Sequence, residues 1–318
     1  MELLFLGTSS GVPTKSRNVT GIALIESTGK DWYLIDCGEG TQHQILRTHL
    51  SLNSLQGIFI THVHGDHCYG LPGIIGSAAM NGRTHPLTIT APSEIIDWFE
   101  VTKACTQLRV PFEIEFVRTE TIPKFDIGQF SVAVTKLSHR VDSYAYSFQE
   151  LYATSSLNTE KLVLAKIPQG PLWGQIAKGI DFEHEGKPIL ASDYIISAKP
   201  NKIVIAGDND MPALLKEECE DAEVLVHEST YTRDVVESSG NSYGHSYAQL
   251  VAEFAESVKL PNLLLTHFSA RYQFDKNQSP SIADIHEEAK RYYSGNLYLA
   301  EDFSRYCVEK SGLLSIVD

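Results

Sequence analysis

The chain has 318 residues, 42% of them hydrophobic, and a formal net charge of −14. Length and apolar content suit one large domain, or one domain with an insertion. No apolar run approaches the roughly 18 residues of a membrane span, and the N-terminus lacks the basic and long apolar regions of a signal peptide. An acidic balance disfavours a surface that binds polyanions as a whole, so nucleic acid would need a local basic patch. The five cysteines (37, 68, 105, 219 and 307) are odd in number and form no C-x-x-C pair. That argues against a disulfide framework and for a reducing, cytoplasmic setting.

In chain order, Leu3–Leu6, Gly21–Ile25 and Trp32–Asp36 read as strands, and Thr41 to about Thr48 as a helix with Thr41 as candidate N-cap. The apolar run Gly57–Ile60 leads into Thr61-His62-Val63-His64-Gly65-Asp66-His67. Helices follow near Leu71–Ala79 and from about Glu94 to Ala104, the latter with Ser93 as cap. Phe130–Val134 alternates as a strand before Leu137-Ser138-His139. Ile203–Gly207, Glu223–His227 and Leu263–Thr266 read as further strands; Pro212–Glu218, Tyr247–Ser257 and Ala283–Tyr292 read as helices. Strands in blocks with helices between them give an α/β or α+β class.

Residues 150–195 break this rhythm. Lys161, Lys166 and Lys178 occur with no acid between Lys161 and Gly179, punctuated by Pro and Gly and carrying Leu172 and Trp173. Connectors usually run about 2–6 residues. A long, locally basic insertion with an aromatic reads as a protruding arm for a polyanion.

The loop after Ile60 concentrates three histidines and an aspartate, the donor types of hydrolytic Zn²⁺. On a tight loop alternate residues diverge, so His62 and His64 can face one metal while Asp66 and His67 face a second. Two metals about 3.5–4 Å apart can clamp a phosphoryl group from both sides. The spacing H-x-H-x-D-H after a strand resembles the metallo-β-lactamase superfamily. That resemblance implies a further His, an Asp and a final His at strand ends, and His139, Asp208 and His267 occur in that order. His43, His49, His85, His184 and His286 have no assigned role, and Cys68 reads as a small buried thiol beside a complete donor set.

Further segments resemble one branch of that superfamily, the short-form tRNase Z (ribonuclease Z) family, over nearly the whole chain. They are Leu6–Val19, Asp36–Gln44, Ile167–Leu172, His227-Glu228-Ser229-Thr230, Gly244-His245-Ser246 and Thr266–Tyr272. Gly207-Asp208-Asn209 and His227-Glu228-Ser229-Thr230 depart from the usual Gly-Asp-Thr and His-Glu-Ala-Thr without removing a donor. The resemblance implies an αββα sandwich of two stacked mixed β-sheets flanked by helices, a single domain over 1–318 with a flexible tRNA-binding arm inserted at 150–195. It implies a homodimer that removes the 3′ trailer from precursor tRNA and leaves a 3′-hydroxyl on the tRNA. His62, His64 and His139 would hold one Zn²⁺, Asp66, His67 and His267 the other, with Asp208 bridging and Asp66 also helping to orient or deprotonate the attacking water. Mn²⁺, Co²⁺ or Fe²⁺ could populate the same donors.

Other positions have physical readings alongside the resemblance. Asp36, ending a strand beneath the loop, can accept a hydrogen bond from a ligand imidazole. Gly38, Gly40 and Thr41 open a helix whose N–H groups could meet a phosphate or base. Lys15, Arg17 and Asn18 on the loop with Pro13 suit RNA phosphates. Glu228 paired with His245 can make a general acid, and the resemblance implies that the pair sits near the leaving 3′-oxygen. Arg271 and Ser269, just after His267, suit a phosphate beside the metals. The arm lysines 161, 166 and 178 suit the tRNA backbone. The main rival is a general metal-dependent phosphodiesterase of the same superfamily, which needs neither the arm nor the Lys15 loop. A thioesterase or lactonase keeps the metal loop but has no need of an arm, and a non-catalytic RNA-binding protein would not need every donor.

Overall fold

A computed structural model of the chain describes residues 1–152, 156–196, 199–239, 243–274 and 278–317. Contacts divide these into a larger unit, 1–149 with 202–318, and a smaller one, 150–201.

The larger unit is built on two sheets. Its strands are β1 (Glu2–Gly7), β2 (Gly21–Ile25), β3 (Trp32–Cys37), β4 (Leu55–Phe59), β5 (Leu87–Ala91), β6 (Ile114–Arg118), β7 (Lys124–Ile127), β8 (Phe130–Leu137), β9 (Ser143–Glu150), β10 (Lys202–Ala206), β11 (Val224–Glu228), β12 (Asn262–Thr266), β13 (Asn296–Leu299), β14 (Arg305–Val308) and β15 (Leu314–Val317). One sheet runs β15-β14-β1-β2-β3-β4-β5-β6, the other β13-β12-β11-β10-β9-β8-β7. Both are mixed. In the first, β3 to β6 pair in parallel and β1 with β2 antiparallel. In the second, β10 to β13 pair in parallel while β9 meets β10 antiparallel.

Alternation along each strand sorts the core into layers. Phe5, Leu24, Tyr33 and Phe59 of the first sheet meet Phe130, Phe148, Ile203 and Val226 of the second. The intervening residues Leu4, Ala23, Leu34 and Ile58 face Leu71, Ile74, Ile75 and Phe99 of helices Leu71–Met80 and Ser93–Thr106. On the far side Val204, Leu225, Leu263 and Leu265 face Val251, Ala252, Ala255 and Ile285 of helices Ala248–Ser257 and Ile282–Lys290. Helix, sheet, sheet, helix is the expected αββα order, and strands buried on both faces explain their continuous apolar runs.

Two expected caps differ. Gly40, not Thr41, is the N-cap of the helix Thr41–Ile45, because φ 79° there suits glycine and leaves Thr41 as the first helical residue. Pro92, not Ser93, precedes the first turn of Ser93–Thr106. Pro212–Glu218 is a 3₁₀ turn, Pro212–Leu215, followed by the short helix Lys216–Cys219.

The smaller unit has its own core. Leu162, Ile167, Ile176, Ile189 and Ala191 are buried, with Leu157, Leu172 and Trp173 packed on them. It holds helices Thr159–Leu164 and Pro171–Ala177 and a hairpin pairing Phe182–His184 with Lys187–Ile189. Trp173 donates its indole N–H to the Ile167 carbonyl (2.9 Å), so this aromatic packs inward and is not offered to a polyanion. The unit's five lysines (161, 166, 178, 187 and 199) meet six carboxylates (150, 160, 181, 183, 185 and 193); the basic character is confined to the stretch 161–179.

Candidate metal centre

The loop after β4 and the ends of β8, β10 and β12 converge in the larger unit. His62 Nε2, His64 Nδ1 and His139 Nε2 lie 3.1–3.2 Å from neighbours in the trio, and Asp208 Oδ2 lies 3.6 Å from His62 and 3.7 Å from His139. A second group joins His67 Nε2 and His267 Nε2 (3.2 Å apart) with Asp66 Oδ2, which is 3.5 and 3.4 Å from them. Asp208 turns its other oxygen, Oδ1, to this pair at 3.5 and 3.4 Å. Each group is compact enough to hold a metal ion, and Asp208 faces both.

The outer hydrogen bonds decide which nitrogen is free. His67 Nδ1 lies 2.7 Å from the Asp36 carboxylate and His139 Nδ1 lies 2.7 Å from the Gly244 carbonyl. Both partners can only accept, so the ring protons sit on Nδ1. The Thr61 hydroxyl donates to Asp36 (2.8 Å) and so accepts from His62 Nδ1 (3.0 Å). The Thr230 hydroxyl donates to Glu228 and accepts from His267 Nδ1 (3.0 Å). All four rings therefore turn Nε2 inward, where nitrogens about 3 Å apart repel unless a proton or a metal ion lies between them. Donors at about 2.0–2.1 Å from a tetrahedral Zn²⁺ stand about 3.3 Å apart, which matches these spacings. The donor set fits a metal, with the outer partners that orient ligating histidines.

The electrostatics agree. Burial and neighbouring rings hold the His62 and His64 pKa values below the ordinary range, so both are neutral donors. Burial opposes charge on His67, yet Asp208, Asp66 and Asp36 outweigh it and raise its pKa well above the ordinary value. Burial likewise opposes the charge of Asp66, but His67 and His267 hold its carboxyl far below the usual range. The pocket prefers added positive charge, which a divalent ion supplies. Backbone strain collects here too: Asp36 (φ 57°) and His267 (φ 59°) both occupy the left-handed region, a cost of about 1–3 kcal/mol each that surrounding contacts must offset.

His245 lies beside the groups, its Nδ1 3.1 Å from Glu228 Oε1 and 3.6 Å from Asp208 Oδ2. Burial would lower its pKa; Glu228 and Asp208 overcome that and bring it to about 9. Burial opposes charge on Glu228 as well, yet His245, His267 and Thr230 hold it at about 2. Glu228 Oε1 also accepts from the Asn209 N–H (2.8 Å), which fixes the carboxylate.

The flanking residues divide. Ser269 lines a cleft of about 490 Å³ with Asp66, Asp208 and His245. Arg271 is exposed, its guanidinium 5.1 Å from the Tyr231 ring centre. Lys15 is exposed on the N-terminal loop. Arg17 is not: only 6% exposed, it packs 5.5 Å from the Phe268 ring centre and 5.8 Å from Phe274. Asn18 is spent on structure, its N–H donating to Asp302 (2.7 Å) and its amide to the Glu39 carbonyl (3.0 Å). Thr41 is fully buried, out of reach of a substrate. Cys68 is a buried thiol pushed up to about 12 by burial, outside both donor groups. In the smaller unit Lys166 and Lys178 are exposed, while Lys161 donates to the Asp193 carbonyl (2.6 Å).

Residues of the matched segments that were given no role of their own complete the site. The Gly11 N–H donates to Asp66 Oδ2 (2.7 Å), and Thr61, Thr230 and the Gly244 carbonyl hold four imidazoles or their partners. Ser9–Ser10 pairs in parallel with Phe268–Ser269, tying the N-terminal loop to the segment after His267.

Comparison with known proteins identifies the architecture. The chain is 49% identical to ribonuclease Z of Pseudomonas putida (strain W619), covering 100% of this chain and 99% of that one. It is 37% identical to ribonuclease Z of Bacillus cereus (strain AH187), covering 98% and 100%. Among solved structures, human tRNase Z, short form, is 25% identical with a TM-score of 0.66, covering 97% of this chain and 100% of that one. The metallo-β-lactamase fold protein YhfI from Bacillus subtilis, at 17% identity and a TM-score of 0.66, shares the fold over 96% of this chain and 98% of its own. Residues 1–166 also match the family profile described as anti-Pycsar protein Apyc1. The chain therefore belongs to the ribonuclease Z family within the metallo-β-lactamase fold, and through its first 166 residues also to the family described as anti-Pycsar protein Apyc1.

Proposed function

We propose that the chain is a zinc-dependent endoribonuclease that removes the 3′ trailer from precursor tRNA and leaves a 3′-hydroxyl on the tRNA. The observation that carries this reading is the convergence of seven inward-facing donors in a chain related to ribonuclease Z over its full length. His62, His64 and His139 would hold one Zn²⁺ and Asp66, His67 and His267 the other, with Asp208 shared; Mn²⁺, Co²⁺ or Fe²⁺ suit the same donors. When bound, the two ions would supply Lewis acidity at the scissile phosphate and acidify water at neutral pH.

The residues do the rest. Asp66, fixed by the Gly11 N–H, orients the attacking water. Glu228 holds Nδ1 of His245 and so fixes the ring at the cleft that a substrate would enter. A pKa of about 9 keeps that ring protonated at neutral pH, ready to give its proton to the leaving 3′-oxygen. Asp36 orients His67. Ser269 and Arg271 bind the phosphate beside the donors, and Lys15 the RNA backbone. Arg17 and Asn18 support the loop from inside.

The single-domain reading with a tRNA-binding arm at 150–195 draws support from the exposed lysines of that segment. The family resemblance supports a cytoplasmic homodimer, which light scattering would test. Among the described residues no helix is long and apolar enough to cross a membrane.

The decisive experiment incubates zinc-loaded protein with a 3′-extended precursor tRNA and maps the product ends beside an Asp208→Ala control. One cut after the discriminator base, absent from the control, is expected. No cut together with brisk hydrolysis of a small phosphodiester would shift the function to a general phosphodiesterase.

A further inference from the structure

The cleft over the donor groups carries features that the hydrolytic chemistry leaves unexplained. Tyr69 is 62% exposed and lines it together with Asp66, His245, Arg140 and Tyr243. An exposed tyrosine ordinarily samples several rotamers; this one is braced. Its N–H donates to the Gly65 carbonyl (2.9 Å), and its ring centre lies 6.2 Å from Trp98, tilted by 42°. The ring also covers Gly65 so closely that a Cβ there would come within 2.1 Å of it. The glycine inside the metal loop thus reserves room for the ring. Among the described residues the Tyr69 hydroxyl makes no hydrogen bond, so what the side chain offers the cleft is its face.

Arg140 follows His139 and is exposed on the same cleft. Its guanidinium lies 5.3 Å from the ring centre of Tyr243, itself 55% exposed, and among the described residues it pairs with no carboxylate. In a chain of net charge −14, an unpaired guanidinium held on an aromatic beside the donor groups is an anion site. Arginine stacked this way keeps its fork free for a phosphate.

We propose that Tyr69 and Arg140 grip unpaired RNA at the cut: Tyr69 stacks the base of a nucleotide adjoining the scissile phosphate, and Arg140, steadied by Tyr243, binds a flanking phosphate. This rests on the ribonuclease reading above. Stacking accepts any base, because every base has a π-face. That suits a cleavage site whose sequence varies between substrates. A base can lie flat on Tyr69 only if it leaves its helix, so the grip selects a single-stranded junction.

The test measures kcat/KM on precursor tRNA and on two versions with an abasic nucleotide immediately 5′ or 3′ of the cut. Tyr69→Ala should lower kcat/KM on intact substrate about 5- to 100-fold. One abasic substrate should cost the wild type a similar factor and cost Tyr69→Ala little more. Tyr69→Trp should keep most activity. Tyr69→Leu, which still fills the space over Gly65, should lose as much as the alanine variant; zinc content and thermal unfolding confirm that each variant is folded. Arg140→Ala should raise KM and reduce the salt slope by about one. Losses that multiply for both abasic substrates, or full activity in Tyr69→Leu, would overturn the stacking assignment. An unchanged salt slope would overturn that of Arg140. A wild type unable to cleave intact precursor tRNA would instead defeat the ribonuclease reading itself.

Discussion

Replacing Asp36 by asparagine exchanges one oxygen for a nitrogen and should cost one donor group most of its hold on metal. Asp36 accepts from the Thr61 N–H (2.8 Å), the Thr61 hydroxyl (2.8 Å) and His67 Nδ1 (2.7 Å). An asparagine oxygen can keep the first of these. Its amide nitrogen then stands where two donors pointed. His67 has to accept at Nδ1, so its proton moves to Nε2 and an N–H replaces the lone pair facing Asp66, Asp208 and His267. Asparagine tolerates the φ of 57° as well as aspartate does, so backbone strain does not confuse the outcome. A hydrogen bond to a charged group contributes about 1.5–3 kcal/mol, and losing the outer partner of a ligating histidine typically costs about 10–100-fold in metal affinity; the two ranges agree. Zinc competition against a chromophoric chelator should show the Asp66/His67/His267 group weakened by that factor. A smaller loss should pass through Thr61 to His62, and raised zinc should restore turnover. Parental affinity at both groups would refute the tautomer argument.

His245→Gln should lower turnover by about 10²–10⁴-fold at unchanged zinc content; undiminished turnover removes the general-acid role. The acid form of His245 exists below its pKa of about 9 and is lost as pH rises through it. Since the Glu228 charge raises that pKa, Glu228→Gln should move the alkaline limb of the kcat profile to lower pH; a stationary limb contradicts the pairing. Changing Lys161, Lys166 and Lys178 together to alanine should raise KM for precursor tRNA and flatten its salt dependence by up to about three, and an unaltered slope would dismiss the segment as an RNA contact. Gly38→Ala would bring a Cβ within 2.3 Å of the Asp66 carbonyl and 2.4 Å of Val19. Overpacking of this kind costs about 1–3 kcal/mol, readable as a lower unfolding midpoint and looser zinc binding.

The donors were legible because their signal is local or strand-bound. Four sit within six residues, and His139, Asp208 and His267 each follow a run that reads as a strand. Glu228 and His245 were legible through the family resemblance, and Asp36 because an acid at a strand end beneath such a loop has few other uses. Arg17 misled because residue type does not reveal which way a loop side chain turns. Phe268 and Phe274 draw it inward, and Asp302, whose charge supports it there, lies at the far end of the chain. Thr41 misled because Gly40 can take a backbone angle that makes glycine the cap. The Gly11 N–H and the Gly244 carbonyl are main-chain groups, which any residue type would supply. Ile114–Arg118 alternates too weakly to announce itself, being half-exposed along one edge of its sheet.

Asp302 accepts from the Thr8 hydroxyl (2.8 Å), the Asn18 N–H (2.7 Å) and the Gln44 amide (3.0 Å), while the backbone of Phe268 fastens Thr8 (2.9 Å). The loop that fixes Asp66 through Gly11 is therefore clasped by residues made long after it. During synthesis the histidine-rich loop leaves the ribosome early, with four donors already side by side. His139 follows about 70 residues later, Asp208 about 140, and His267 with the clasp at Asp302 some 200 or more. Until Asp208 is made, neither donor group has all of its members. The site is complete only once Asp302 has joined the loop.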